Sequence, residues 1–346
     1  MSDIDIRITG KAGRITLTRP KALNALSYDM CMAIDAALKD WATNDTVQLV
    51  VIDATGDKAF CAGGDIAELY DSGTKGDYAY GRKFWSDEYR LNARMFEYGK
   101  PIVSFMQGFT MGGGVGIGCH GTHRILCETS QISMPEVGIG LVPDVGGTLI
   151  LSQAPGRLGE YLGLTGFRMV ADDAILAGFA DLFIPKDQWP SLISSLESDG
   201  DLACLTASAD VPPTGKLRDL QGDIDRHFAG ETLSDILNSL RNDDGAFSAA
   251  TLKSLGRNSP LSMACTAELL HRLRGPEPSI RTALELEYRF TYRAMERGDF
   301  LEGIRAAIID KDRKPQWHHS DMDVPTSATS QMLMPLGAET LTFEEG

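Results

Sequence analysis

The segment SMPEVGIGLVPDVGG (residues 133–147) sets two acids, Glu136 and Asp144, among Met, Val, Ile, Leu, Pro and Gly. A run this apolar heads for the interior, where an unpaired charge costs roughly several kcal/mol unless it is paired or neutralised. Two carboxylates at a pocket wall can divide acid and base work between them; the alternative is a surface turn. Two other stretches, FCAGGDI (60–66) and TMGGGVGIG (110–118), cluster glycines after apolar strands. Such loops let the backbone approach a ligand closely, and two sets of amides aimed at one oxygen form an oxyanion hole. Taken singly, each loop reads more simply as a tight turn. A third acid, Glu88, falls in line with Phe84, Leu91 and Met95 at helical spacing. It sits either on an apolar stripe or at the solvent-exposed edge between that stripe and a second one made by Trp85, Tyr89, Asn92 and Phe96.

The elements that must carry these residues alternate. IDIRITGKAGRITLT reads as two short strands joined by a Gly-containing turn, and SYDMCMAIDAALKDW as a helix with Cys31, Ile34, Leu38 and Trp41 on one stripe. VQLVVIDATG follows as a buried strand, then a helix over GRKFWSDEYRLNARMFEYG and the strands PIVSFMQG, HRILCE and DLFIP. Strands alternating with helices indicate an α/β domain over residues 1–200. Residues 201–346 open on a Ser-, Asp-, Gly- and Pro-rich stretch and continue as helical segments without a strand, and the end from about Ser320 reads as loosely ordered.

Composition narrows the partners. A formal charge of −15 over 346 residues argues against a nucleic acid or an anionic membrane surface, which need a basic footprint. No window approaches a membrane span, the first residues form no secretory signal, and the six Cys make no CxxC pair. A reduced intracellular compartment is expected, either a bacterial cytoplasm or a mature form in the mitochondrial matrix. No metal site is expected, since His318 and His319 are adjacent rather than one face apart. GIGCHG (116–121) satisfies GxGxxG, but no ribose-binding acid follows at the usual distance, and no GxxxxGK[ST] or GxSxG occurs.

Together, FCAGGDI, TMGGGVGIG and SMPEVGIGLVPDVGG resemble the crotonase (enoyl-CoA hydratase/isomerase) superfamily, and the last two are similar to its 3-hydroxyisobutyryl-CoA hydrolase branch. RPKALNALS, SDEYRLN, LTGFRM and EYRFTYRAMERGDFLEGIRAAIIDKDRKPQW extend the resemblance over nearly the whole chain. It implies a ββα spiral core with a C-terminal helical region and a thioester carbonyl held by the amides of Gly64 and Gly113, with Ala62, Asp65, Ile66 and Gly112 lining the substrate. Enoyl-CoA hydratases use two glutamates. Here the first is absent, since Gly116 stands in its place, while the second survives as Glu136, and Asp144 stands where hydratases usually carry a small residue.

Hydrolysis of a short 3-hydroxyacyl-CoA is therefore the activity the resemblance implies, with Glu136 and Asp144 catalytic and Glu88 on the substrate hydroxyl. CoA enters as part of the substrate and no cofactor is expected. Its phosphates would meet Arg19, Lys21, Lys58 and the group Lys311, Arg313 and Lys314. Two alternatives stand beside this: a short-chain enoyl-CoA hydratase or isomerase, and a non-catalytic acyl-CoA-binding protein. Superfamily members commonly form trimers, so a homo-oligomer is compatible with the resemblance.

Overall fold

In a computed structural model of the chain, residues 3–275, 278–319 and 322–343 are described. They divide into two compact units, Met1–Asp65, Arg90–Ser133 and Arg168–Lys216 in the first, and Ile66–Tyr89, Met134–Phe167 and Leu217–Gly346 in the second. Neither is a consecutive stretch, and the expected division at residue 200 falls inside the first.

The first unit holds nine strands in two sheets. β1 (Ile4–Thr9), β2 (Ala12–Leu17), β3 (Leu49–Ala54), β5 (Ile102–Met106), β7 (His123–Leu126) and β9 (Leu182–Phe183) form one sheet in that order; β4 (Ala59–Cys61), β6 (Phe109–Met111) and β8 (Gln131–Ser133) form the other. β1 and β2 make the expected hairpin, with Ile4 opposite Leu17 and Gly10 turning at φ 57°. Every later pairing is parallel. Strands buried on both faces read as continuous apolar runs, and Val51, Val103, Phe105 and Ile125 pack with Trp189 and Leu196 of the helix Trp189–Asp199 in one core. The helix Tyr28–Ala42 is capped by the Ser27 side chain and buries Cys31, Ile34, Leu38 and Trp41, the stripe read from sequence.

The second unit is helical, as the pattern beyond residue 201 predicts. Among the described residues the last strand is β9. Long helices Pro260–Leu273 and Ile280–Arg297 are capped by Ser259 and Ser279, and Leu233–Arg241 opens with a Thr232–Asp235 capping box. The expectation of a loose end from Ser320 is corrected. Ser320 and Asp321 lie outside the described residues, but Thr326–Met332 is a helix, and Met332, Leu333 and Leu341 are buried. Three apolar side chains supply the burial, and the Arg293 guanidinium donates to the carbonyls of Met332 at 3.0 Å and Met334 at 2.8 Å. Among the described residues no helix is long and apolar enough to cross a membrane.

Candidate active site

In the first unit, β4 and β6 run parallel side by side, so the glycine loops after Cys61 and Met111 leave the same edge of the sheet. They touch: a Cβ on Gly114 would lie 2.1 Å from the Cys61 carbonyl oxygen, so only glycine fits there. The first loop is tied to residues 23–26. Ala62 N donates to Leu23 O, Leu26 N to Gly63 O, and Asp65 N to Leu26 O. In a parallel bridge these bonds use the residues flanking Gly64, and the Gly64 N–H is left outside the bridge. Gly113 is the first residue of the helix Gly113–Gly118, where an N–H has no acceptor inside the helix, and Gly112 before it takes φ 49° and ψ −121°, which glycine alone tolerates easily. The two expected oxyanion amides thus belong to neighbouring loops.

Arg19 is committed elsewhere than expected. Its guanidinium binds Asp65 at 3.0 Å, Asp3 at 3.2 Å and the Ala25 carbonyl at 2.8 Å, so it and Asp65 staple the loop. Lys21 and Lys58 are exposed. Ile66 lies at the start of the second unit, where it opens the helix Ala67–Thr74.

In the second unit, four buried acids gather from three remote segments: Glu88 (3% exposed), Glu136 (4%), Asp144 (4%) and Glu287 (0%). Glu88 is on the helix Tyr78–Phe96, and its burial with Phe84, Leu91 and Met95 excludes the exposed-edge alternative. Glu136 opens a 3-10 turn, Glu136–Ile139, in which Leu141 N donates to Glu136 O at 3.0 Å; its Oε2 is buried without a protein partner. Asp144 begins a tight turn, Gly147 N donating to its carbonyl at 2.7 Å, and its carboxylate accepts from the Tyr89 hydroxyl at 2.8 Å.

Their proton affinities follow from these surroundings. Burial lifts Asp144 to about 7, and the Tyr89 hydrogen bond pulls the other way. Burial and then the Asp144 charge hold Glu136 and Glu88 well above the usual carboxylate range. Burial lifts Glu287 to about 8 against the donors that bind it. Four negative charges cannot coexist in so dry a place, so the cluster shares protons, and Asp144, with a phenol donating to it, ionises first.

Sequence reasoning missed Tyr89 as a partner and Glu287 altogether. The signal for Glu287 was available, because it interrupts the apolar stripe Ile280, Ala283, Leu284, Phe290 and Ala294 in the way Glu88 interrupts its own. Asn92, one turn beyond Glu88, is also buried, with both amide atoms lacking a protein partner.

Lys311, Arg313 and Lys314 are exposed on a loop with an internal logic. Asp310, just before them, and Asp312, between Lys311 and Arg313, pair with Arg305 at 2.7 and 2.9 Å. Among the described residues no group of three or more His, Cys, Asp or Glu is arranged to hold a metal, and the six Cys are free thiols. His318 Nδ1 lies 2.6 Å from Asp299.

The chain is similar to known proteins over most of its length. The family model for enoyl-CoA hydratase/isomerase matches residues 12–333. A mitochondrial 3-hydroxyisobutyryl-CoA hydrolase from Danio rerio is 38% identical over 93% of this chain and 86% of its own. A solved enoyl-CoA hydratase from Rhodobacter sphaeroides superposes with TM-score 0.95 at 59% identity, covering 99% of this chain and 100% of its own. A carnitinyl-CoA dehydratase from Mycobacterium thermoresistibile does so with TM-score 0.94 at 37% identity, over 100% of both chains. A family model over most of the chain and relatives at this identity and coverage show that the chain belongs to the enoyl-CoA hydratase/isomerase family.

Proposed function

We propose that the chain hydrolyses the thioester of a short 3-hydroxyacyl-CoA, such as 3-hydroxyisobutyryl-CoA, to the free hydroxy acid and CoA. The observation that carries this is the buried pair Glu136 and Asp144, together with Gly116 where the family's hydratases bring their other glutamate. Adding water across a double bond needs a carboxylate at that position, and glycine brings none.

The thioester oxygen accepts from the N–H groups of Gly64 and Gly113, which carry the negative charge of the tetrahedral intermediate. Glu136 either attacks the carbonyl carbon, so that a C–O bond forms as C–S breaks and water later opens the anhydride, or takes the proton from an attacking water. Asp144 makes either route available at neutral pH. With one proton on the pair, the favoured form has Asp144 ionised, and the reactive minor form is reached when that proton passes to Asp144, which leaves Glu136 ionised and puts the proton at hand for the departing thiolate. Glu88 bonds the 3-hydroxyl, and acyl groups lacking it would leave a buried carboxyl unpaired. The phosphates of CoA meet Lys311 and Lys314, with Lys21 and Lys58 as further cations, and no cofactor beyond the substrate's own CoA is required. The extra methyl that separates 3-hydroxyisobutyryl-CoA from 3-hydroxypropionyl-CoA is worth only about 1 to 3 kcal/mol, so both are expected substrates. A reduced compartment, a bacterial cytoplasm or the mitochondrial matrix, suits six free thiols.

The 59% identity to a protein described as an enoyl-CoA hydratase supports a second reading, hydration of a short enoyl-CoA. Free thiol release from 3-hydroxyisobutyryl-CoA, run beside loss of enoyl absorbance from crotonyl-CoA, separates the two. Thiol release without hydration is expected; hydration without thiol release would transfer the chain to the second reading, and tight CoA binding without either would make it a binding protein.

A further inference from the structure

We propose that Glu287 is a positioning residue for this reaction: its carboxylate clamps the turn Asp144–Gly147 and thereby sets the aim of the Asp144 side chain. The inference rests on the hydrolase reading, because it concerns the same acid pair.

The turn itself is strained. Both central residues have positive φ, 54° at Val145 and 78° at Gly146. Glycine accepts this; a β-branched residue does so only where its surroundings over-determine it. One side chain, Glu287, bonds this turn directly at two of its amides. Glu287 Oε2 accepts from Gly146 N–H at 2.9 Å, and Oε1 accepts from Thr148 N–H at 3.0 Å and from the Thr148 hydroxyl. Two carboxylate oxygens thus grip amides on either side of Gly147, directly after Asp144, and fix the direction of the intervening peptide. The same helix also reaches the front of Asp144. Thr291, one turn beyond Glu287, lies 3.4 Å from the Tyr89 hydroxyl that donates to the Asp144 carboxylate.

Packing does not ask for an acid here. The helix Ile280–Arg297 buries Ala283, Leu284, Phe290 and Ala294 along the same stripe, and a leucine would continue it without any desolvation cost. An acid is needed only if the amides of the turn must be held.

Glu287→Gln tests this, since the amide oxygen still accepts from Thr148 while the NH2 cannot accept from Gly146. Thiol release by wild type, Glu287→Gln, Asp144→Asn and the double variant is measured with amide exchange across 144–148. In Glu287→Gln, kcat is expected to fall about tenfold with KM within about twofold, and exchange at Gly146 and Thr148 to quicken about tenfold while Pro260–Leu273 keeps its protection. In the Asp144→Asn background the same change is expected to cost less than about twofold, because aiming matters only while the carboxylate exists. An unchanged kcat, or an equal loss in both backgrounds, overturns the proposal, the latter by showing a general structural role. If wild type releases no thiol, the hydrolase reading fails instead, and exchange then decides the clamp alone: unchanged exchange overturns it. Should Glu287→Gln not fold, Thr148→Val removes one donor and is expected to give the same pattern at smaller amplitude.

Discussion

The glycine loops of the first unit and the acid cluster of the second solve opposite problems. The loops expose polar backbone by removing side chains, and each is a local affair of a few consecutive residues behind a strand. The cluster buries charge, and it is assembled from residues 88–89, 136–148 and 287–291, segments far apart in the chain. A backbone donor is cheap to install and hard to tune, whereas a buried carboxyl is costly to install and its proton affinity is set by every neighbour. Substitutions should therefore fail differently in the two regions: by geometry in the first, by protonation in the second.

The largest effect is expected at Glu136. Glu136→Gln keeps the shape and removes the carboxylate proposed above to attack or to activate water, and kcat should fall by about 1,000-fold with the fold intact by circular dichroism. Next is Gly112→Ala, which forces a side chain onto φ 49° and turns the Gly113 amide aside; kcat should drop about 100-fold with little change in pH dependence. A changed pH dependence in that variant would break the contrast drawn between the regions. Glu88→Leu should lower kcat/KM for 3-hydroxyisobutyryl-CoA about 100-fold while leaving isobutyryl-CoA within about threefold, as a comparison of the two thioesters would reveal.

The smallest expected effect is on stability. Asp144 and Glu287 sit at about 7 and about 8 in the folded chain, against ordinary values of 3.8 and 4.5, so the folded state binds these protons more tightly than the unfolded one. Below about pH 3 both states are protonated and the acids cost nothing; the cost grows as the unfolded chain ionises through 3.8 and 4.5 and is fully present above about pH 8. Asp144→Asn should accordingly raise Tm by a few degrees, about 2 to 6 °C, at pH 8 and by much less at pH 4.5 in a thermal melt.

What was legible in the sequence follows the same division. Local signals survived: the hairpin through Gly10, the stripe of Tyr28–Ala42, the glycine loops and the helical second half. Glu88 was legible because an acid on an apolar stripe is out of place; Glu287 gives the identical signal but opens the stretch EYRFTYRAMERG, whose family resemblance alone does not mark one residue of it as part of a site. The Tyr89–Asp144 hydrogen bond was not legible, since it joins side chains whose meeting depends on tertiary packing. Arg19 misled for a related reason. A cation beside a ligand loop reads as a phosphate binder, and only the fold shows Asp65 and Asp3 already occupying it. The tail misled because its three buried apolar residues are too sparse to form a periodic pattern.

The most direct test of the acid cluster is the pH dependence of kcat/KM for thiol release from 3-hydroxyisobutyryl-CoA between pH 4.5 and 9. With protons shared among Glu88, Glu136, Asp144 and Glu287, and Asp144 at about 7, the rate should climb through an apparent pKa near 7. A profile flat across that range, with its acid limb already complete near pH 4, would mean that the carboxylates titrate as exposed groups do and would contradict a buried acid pair as the seat of the chemistry.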